Sequence, residues 1–347
     1  MNVDKKISIG ISVGDLNGIG AEIILKTFAD PRMFDFCTPV VFASHKSIQY
    51  LKKHLNLTTQ TQRVDDLDGL VDKKLNIINV WDESFNFEFG KESKKAGELA
   101  IVSLKAATKA LKEKKIDGLL TAPINKANIQ SEDFSFPGHT DYLAQELDGN
   151  ALMFMVSDGL KVGLLTDHVA VKDIANEITP KLIKEKITTI SESLKKDFKI
   201  NKPKIAVLGI NPHSGDNGVI GKEDDEVLRP AIEALYNNNI MVFGPYAADS
   251  FFGSNNYKNF DAIVASYHDQ GLIPFKTLTF GNGVNYTAGL SEVRTSPDHG
   301  TAYEIAGKGI ADESSFTEAL FEAIKIVRNR AEHTELTKDV LRRGKKI

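Results

Sequence analysis

The sequence predicts an α/β fold built on largely parallel sheets. Short β-rich runs alternate with longer stretches of helical periodicity along the chain. Some of those runs, such as "DAIVA" (261–265), are wholly apolar and read as buried strands. At 347 residues and 41% hydrophobic, the chain is long enough for about two domains and can fill a large core. Such alternation favours βα units over segregated strands and helices.

Each element follows from its local pattern. "KISIGISVG" reads as a strand and "AEIILKTFAD" as the helix after it. "TPVVFAS" and "KLNIINVW" are strand-like, with "KSIQYLKKHL" helical between them. "KAGELAIVSLKAATKALKEKK" is a long amphipathic helix leading to the strand "IDGLLTAPI". "ALMFMVS" and "LKVGLLTDHVAV" read as strands and "TPKLIKEKITTISESLKKDF" as a helix. "PKIAVLGINPH" and "IMVFGPY" are strands around the helix "EVLRPAIEALYNNN". "FDAIVASYHD" is the last strand, and "SFTEALFEAIKIVRNRAEH" the last helix. Two stretches break the rhythm, "NIQSEDFSFPGHTD" near 130 and "GLSEVRTSPDHG" near 295. The chain is expected to leave a first lobe at one and return at the other. Residues 1–130 with 301–347 would then form one lobe and 131–300 the second. No fixed-period repeat or low-complexity tract interrupts this pattern.

Composition narrows the function. The net charge is −4, without the basic excess of a nucleic-acid binder. The single cysteine, Cys37, rules out an internal disulfide or a cysteine metal cage and sits in an apolar context that reads as core. No signal-like N-terminus and no apolar stretch near the ~18 residues of a membrane span is visible. The expectation is a soluble, cytoplasmic protein with no membrane or nucleic-acid partner.

Chemistry concentrates in the histidines. His45, His54 and His333 lie in charged helical contexts and read as surface residues. His139, His168, His213, His268 and His299 each have Gly, Pro or Asp close by. His168, His213 and His268 each follow a strand-like run, so they can converge at the carboxyl edge of a parallel sheet, where ligands bind. Three neutral imidazoles with an open position suit a catalytic divalent metal. Unrelated loop histidines bonded to nearby carbonyls would be the bland alternative.

"GDLNGIG" (14–20) follows a strand and opens a helix. It can either offer backbone N–H groups to an anion or be a plain tight turn. Lys276, Asn285 in "GNGVNYTAG" and Arg294 combine cations, an amide and flexible backbone suited to phosphate and carboxylate. A solvated loop with ordinary surface charges fits the same pattern.

"GDLNGIGAEI", "TAPINKA", "FPGHTDYLA", "LLTDHVAV", "GINPHSGDNG", "GPYAADSFF", "YHDQGLIPFK" and "GLSEVRTSPDHGTAYEIAGKGIAD" occur in this order. Together they resemble the 4-hydroxythreonine-4-phosphate dehydrogenases of pyridoxal phosphate biosynthesis, over nearly the whole chain. The first motif departs from the family, with Leu16 and Ala21 where Pro is usual and Asn17 where Ala is usual.

The resemblance implies a fold like isocitrate and isopropylmalate dehydrogenases, two α/β/α lobes with a cleft between them. It implies a homodimer with its active site at the subunit interface and one divalent metal (Zn, Mg or Co) per site. His168, His213 and His268 match the family's metal ligands, the last reaching in from the neighbouring subunit. His139, Thr140, Lys276, Asn285 and Arg294 match its substrate-binding residues. "SPDHGTAYEIAG" resembles an adenosine-side loop that opens a helix, placing NAD or NADP at Gly300 and Thr301.

The implied reaction is oxidation of 4-phosphooxy-L-threonine to a 3-keto acid, which decarboxylates to 3-amino-2-oxopropyl phosphate. The base is Asp269 or Lys276, or a water relay. Alternatives are a dehydrogenase for 4-phospho-D-erythronate or 4-phospho-threonate in sugar-acid catabolism, an acyl-phosphate transferase, and a non-catalytic phosphometabolite sensor.

Overall fold

The computed structural model describes residues 6–338 except residue 133. The outermost parts of the expected first lobe, 1–5 and 339–347, lie outside the described residues, as does the start of the segment inspected for a signal.

Twelve strands form one sheet: β1 (Ser8–Ser12), β2 (Thr38–Ala43), β3 (Thr61–Val64), β4 (Leu75–Asn79), β5 (Gly118–Thr121), β6 (Gly149–Val156), β7 (Lys161–Leu164), β8 (Ile205–Leu208), β9 (Val242–Tyr246), β10 (Ala262–Ala265), β11 (Val284–Leu290) and β12 (Arg294–Pro297). Their order is β3-β4-β2-β1-β5-β12-β11-β6-β7-β10-β8-β9. From β3 to β12 neighbours run parallel, and from β7 to β9 they do so again. Between the two halves β12, β11, β6 and β7 alternate in direction. The halves therefore run in opposite directions, and the direction changes at the centre of the sheet.

The helices are α1 (Gly20–Thr27), α2 (His45–His54), α3 (Lys94–Lys112), α4 (His139–Glu146), α5 (Ile174–Glu177), α6 (Pro180–Lys196), α7 (Arg229–Asn237), α8 (Ala248–Gly253), α9 (His268–Thr279) and α10 (Ser314–Thr337). One face of the sheet carries α1, α2, α6, α7 and α10 over a single continuous core that includes Ile23, Ile48, Ile187, Leu235 and Phe316. On the other face the cover is divided. Ile101 and Leu104 of α3 and Leu143 of α4 close one core over the first half. Phe251 of α8 and Leu272 and Phe275 of α9 close another over the second. Successive strand residues point to opposite faces. Tyr286 and Ala288 of β11 accordingly enter the continuous core, while Asn285 and Thr287 face the gap between the divided ones.

The expected α/β class holds, here built on one large central sheet. Four local readings change. "GNGVNYTAG", expected as flexible loop, contributes to the well-ordered strand β11. "GLSEVRTSPDHG", read as a break, contains β12, four buried residues long. "LKVGLLTDHVAV" is strand only over Lys161–Leu164. "FDAIVASYHD", read as strand throughout, is strand only over Ala262–Ala265, and His268 begins α9, which continues through Pro274. β11 and β12 escaped notice because Gly, Asn and Arg in their sequences read as loop, whereas the flanking strands cover them on both edges.

The joint between the halves is tied on its covered face by a buried charge network. The Asp197 carboxylate accepts from Tyr286 Oη (2.6 Å), Ser193 Oγ (2.7 Å) and Arg330 Nε (2.7 Å). Arg330 also donates to the Leu290 (3.1 Å) and Ser291 (2.8 Å) carbonyls. This connects α6, α10 and β11. Asp197→Ala would leave the Arg330 guanidinium buried without its partner and is expected to cost roughly 3–5 kcal/mol. Urea unfolding of the variant against the parent measures it.

Candidate active site

A cavity of about 270 Å³ opens where the helical cover parts. Its floor is the centre of the sheet: Thr121 of β5, Met153 of β6, Asn285 of β11, and Arg294 and Ser296 of β12. Its walls bring His139, Thr140 and Asp141 from α4, Lys126, Asp167 and His168 from loops, and His299 and Gly300 from the segment after β12. Six residues expected from the sequence thus meet in one place: His139, Thr140, His168, Asn285, Arg294 and Gly300.

Arg294 dominates the floor. It is 2% exposed, and its hydrogen-bond partners are neutral hydroxyls. Nη2 and Nε donate to Thr121 Oγ1 (2.6 and 3.2 Å) and Nη1 to Thr287 Oγ1 (3.0 Å). Among the described residues no carboxylate pairs with it. Burial lowers its pKa to about 9, so it is still a cation at neutral pH. An uncompensated buried charge is costly, and an anionic ligand would relieve that cost.

Other polar atoms around the cavity point the same way. His139 Nε2, Asn285 Oδ1, Asp167 Oδ1 and His299 Nε2 are buried and have no hydrogen-bond partner among the described residues. Buried polar atoms are nearly always paired, so a ligand with both donors and acceptors fits this lining. Desolvation, with Arg294 and Lys126 nearby, holds the His139 imidazole well below its ordinary pKa. Desolvation raises the pKa of Asp167.

The candidate metal histidines follow three adjacent parallel strands, β7, β10 and β8, with β10 in the middle. Those strand ends are clamped together. Thr166 Oγ1 donates to the Ser266 carbonyl (2.7 Å) and Ser266 Oγ to that of Leu208 (3.1 Å). The Gln270 amide accepts from Ser266 N (2.7 Å) and donates to the Gly209 carbonyl (2.7 Å). His168 and His268 come together, their ring centroids 5.9 Å apart. His268 Nδ1 bonds Asp269 Oδ1 (2.7 Å). A carboxylate accepts there, which leaves Nε2 as the ring nitrogen available to a metal, the arrangement common behind metal-bound imidazoles.

His213 does not join them. It is exposed, and it lies in a left-handed backbone run in which His213, Ser214, Asp216 and Asn217 all have positive φ. The buried Asp224 carboxylate holds the start of that run, accepting from the backbone N–H groups of Ile210 (2.8 Å) and Asn211 (3.0 Å). Among the described residues no three His, Cys, Asp or Glu side chains form a cage. The donor set itself, imidazoles with one carboxylate behind, suits a divalent metal; two of its three members are assembled within the chain.

Lys276 lies outside the cavity lining and pairs with Asp298 Oδ1 at 3.0 Å, a residue flanked by Pro297 and His299 of the lining. Thr301 packs on the first loop instead of the cavity, its carbonyl accepting from Ile19 N (3.0 Å). The segment after it is a series of turns and does not open a helix directly.

"GDLNGIG" is a tight turn. The N–H groups of Asp15, Gly18 and Ile19 donate to backbone carbonyls, and that of Asn17 to Asp15 Oδ1 (2.8 Å), leaving none of the four for an anion. Gly14 has φ +70°, and a Cβ there would sit 2.3 Å from the Pro123 carbonyl. Asn17, where the family usually has Ala, pins the loop through Lys91 O (3.0 Å) and Glu88 N (2.9 Å).

Sequence reasoning missed Thr121, Lys126, Asp167 and Ser296 and gave His299 no role. Thr121 and Lys126 sit in "TAPINKA" and Asp167 directly precedes His168, so proximity to the recognised motifs was the available signal.

Fold and cavity together give an α/β protein with a small polar cavity, a candidate substrate site, where the sheet changes direction. Residues 35–323 match the family described as "Pyridoxal phosphate biosynthetic protein PdxA". The chain is 48% identical over 329 residues to the 4-hydroxythreonine-4-phosphate dehydrogenase of Bacteroides thetaiotaomicron, spanning 94% of this chain and 90% of that one. It is 37% identical to a D-threonate 4-phosphate dehydrogenase of Cupriavidus necator, over 93% of this chain and 98% of the other. The crystal structure of the Klebsiella pneumoniae 4-hydroxythreonine-4-phosphate dehydrogenase superposes with a TM-score of 0.81 at 30% identity, covering 93% of this chain and all of that one. The chain belongs to the PdxA family and is therefore an oxidoreductase, of a kind that in general uses a nicotinamide cofactor and a divalent metal.

Two outcomes follow from the buried groups. The unfolded chain protonates His139 near pH ~6.5, whereas the folded state resists protonation. The stability this supplies is present above that pH and is lost as pH falls toward the lowered folded value, by at most about 1.4 kcal/mol per pH unit. His139→Gln should flatten stability between pH 6.5 and 5 in urea titrations. Arg294→Met removes an unpaired buried cation, so the ligand-free variant should unfold no lower than the parent in thermal scans. Its substrate affinity, measured by calorimetry, should fall at least ~100-fold.

Proposed function

We propose that the chain oxidises the C3 hydroxyl of 4-phosphooxy-L-threonine, using NAD or NADP and a divalent metal such as Zn, Mg or Co. The 3-keto acid then loses CO2 to give 3-amino-2-oxopropyl phosphate. The observation that carries this reading is the uncompensated Arg294 cation, flanked by His139 and Asn285, in a cavity bordered by His168. Lys126 adds a second cation to the same lining. That set matches a small substrate with two anionic ends.

His168, His213 and His268 would hold the metal. When bound, the metal supplies Lewis acidity at the reacting oxygen, and the nicotinamide accepts the hydride. Arg294 binds an anionic group of the substrate and Thr121 and Thr287 fix the guanidinium plane. His139, kept neutral, offers Nε2 as a hydrogen-bond partner, with Thr140 beside it. Asp269 orients His268. The hydroxyl proton passes to Lys276, which pairs with Asp298 in this structure, to Asp269 or to a water relay. Gly300 places flexible backbone at the cavity rim for the cofactor, and Thr301 secures that segment on the first loop.

We place the lobe boundary (1–130 with 301–347 against 131–300) where β5 meets β12, because the cavity straddles that line. We also propose a homodimer that completes the site. Val171, Val219, Ile220 and Ile273, all exposed, follow the three metal-candidate histidines, and the strained His213 loop stands open to a second subunit.

The test is NAD(P)H absorbance with metal-replete protein and 4-phosphooxy-L-threonine, with 4-phospho-D-erythronate and 4-phospho-threonate in parallel. The threonate reading draws support from relatives of that name. His268→Ala should lose bound metal by elemental analysis and lose turnover; full activity of the metal-saturated variant would refute its role.

A further inference from the structure

Amino-acid and hydroxy-acid phosphates share their anionic ends and their reacting alcohol. Discrimination must come from the group at C2, an ammonium in one and a hydroxyl in the other. An ammonium is a cation with three donors and no acceptor, so its recognition needs carboxylates or carbonyl oxygens. The cavity lining holds carboxylates as well as cations. Arg294 and Lys126 are its cations, and Asp167 and Asp141 its carboxylates. Asp167 Oδ1 is buried and unpartnered among the described residues, as is Asn285 Oδ1, an amide acceptor in the same lining. Asp167 also directly precedes His168 in the chain, one of the residues that would hold the metal at the reacting alcohol, which brings it beside the carbon chain.

We infer that Asp167 is the specificity-determining residue of this site, its carboxylate pairing with the C2 ammonium of the substrate and so selecting an amino acid phosphate over its hydroxy-acid counterpart. This rests on the reading of the cavity as the site of a phosphorylated four-carbon acid. It goes further in naming which acid is favoured and which side chain decides. Asp141, more exposed on α4, adds to the negative potential without being buried against the ligand.

The experiment compares parent, Asp167→Asn and Asp167→Glu with 4-phosphooxy-L-threonine and 4-phospho-D-threonate, which has the same arrangement at C2 and C3 and a hydroxyl in place of the ammonium. Three quantities are read: kcat/KM for each, the Kd of each without nicotinamide by calorimetry, and bound metal by elemental analysis. The parent is expected to prefer the amino acid in both Kd and kcat/KM. Asp167→Asn should weaken amino-acid binding by roughly 30- to 100-fold, the scale of one charge-assisted hydrogen bond. Binding of the hydroxy acid should change less than about threefold, metal content should hold, and Asp167→Glu should keep a preference for the amine. Equal losses for both ligands, or loss of metal, would give Asp167 a role through His168 and overturn the inference. A parent that prefers the hydroxy acid would overturn it without any variant, so a variant that fails to fold does not shield it. A parent that neither binds nor oxidises any phosphorylated four-carbon acid would instead refute the proposed function.

Discussion

The structure depends on how its two parallel half-sheets are joined. They run in opposite directions, and β12, β11 and β6 alternate in direction to reconcile them. Helices cover a parallel sheet on both faces, yet here the cover is continuous on one face and parted on the other. The parting falls over the joint. Strand alternation then sends Tyr286 into the continuous core and Asn285, Thr287 and Arg294 into the gap. The same three strands that hold the halves together thus form, with Thr121 of β5, the floor of the candidate site.

This accounts for the buried cation at the centre. An arginine on a covered strand would ordinarily need a carboxylate. Arg294 has threonine hydroxyls instead, which fix its orientation without neutralising it. The paired charges of the joint lie on the opposite face, where Asp197 and Arg330 satisfy each other. One face is internally complete and supports the architecture. The other leaves unpaired groups, and those are what a ligand can use.

The histidine edge is organised by a separate device. Thr166, Ser266 and Gln270 tie the ends of β7, β10 and β8 through side-chain bonds to backbone. Gln270 explains why "YHDQG" carries more than a turn: it fixes the first turn of α9, from which His268 projects. The His213 loop, by contrast, is held at its base by Asp224 and strained beyond it. That difference makes a completing second subunit the natural proposal for this edge.

The sequence by itself determined the α/β class, most strands and helices, and the candidate residues His139, Thr140, His168, Asn285, Arg294 and Gly300. Those signals are local: apolar periodicity, turn residues at strand ends, and short motifs in fixed order. It did not reveal β11 and β12, whose Gly, Asn and Arg read as loop until neighbouring strands pair with them. Nor did it reveal that Arg294 is buried without a counter-charge, that Lys276 is engaged by Asp298, or that Asp167 faces the cavity. Charge compensation and side-chain facing depend on contacts across the fold, between residues far apart in the chain, and only the tertiary structure decides them.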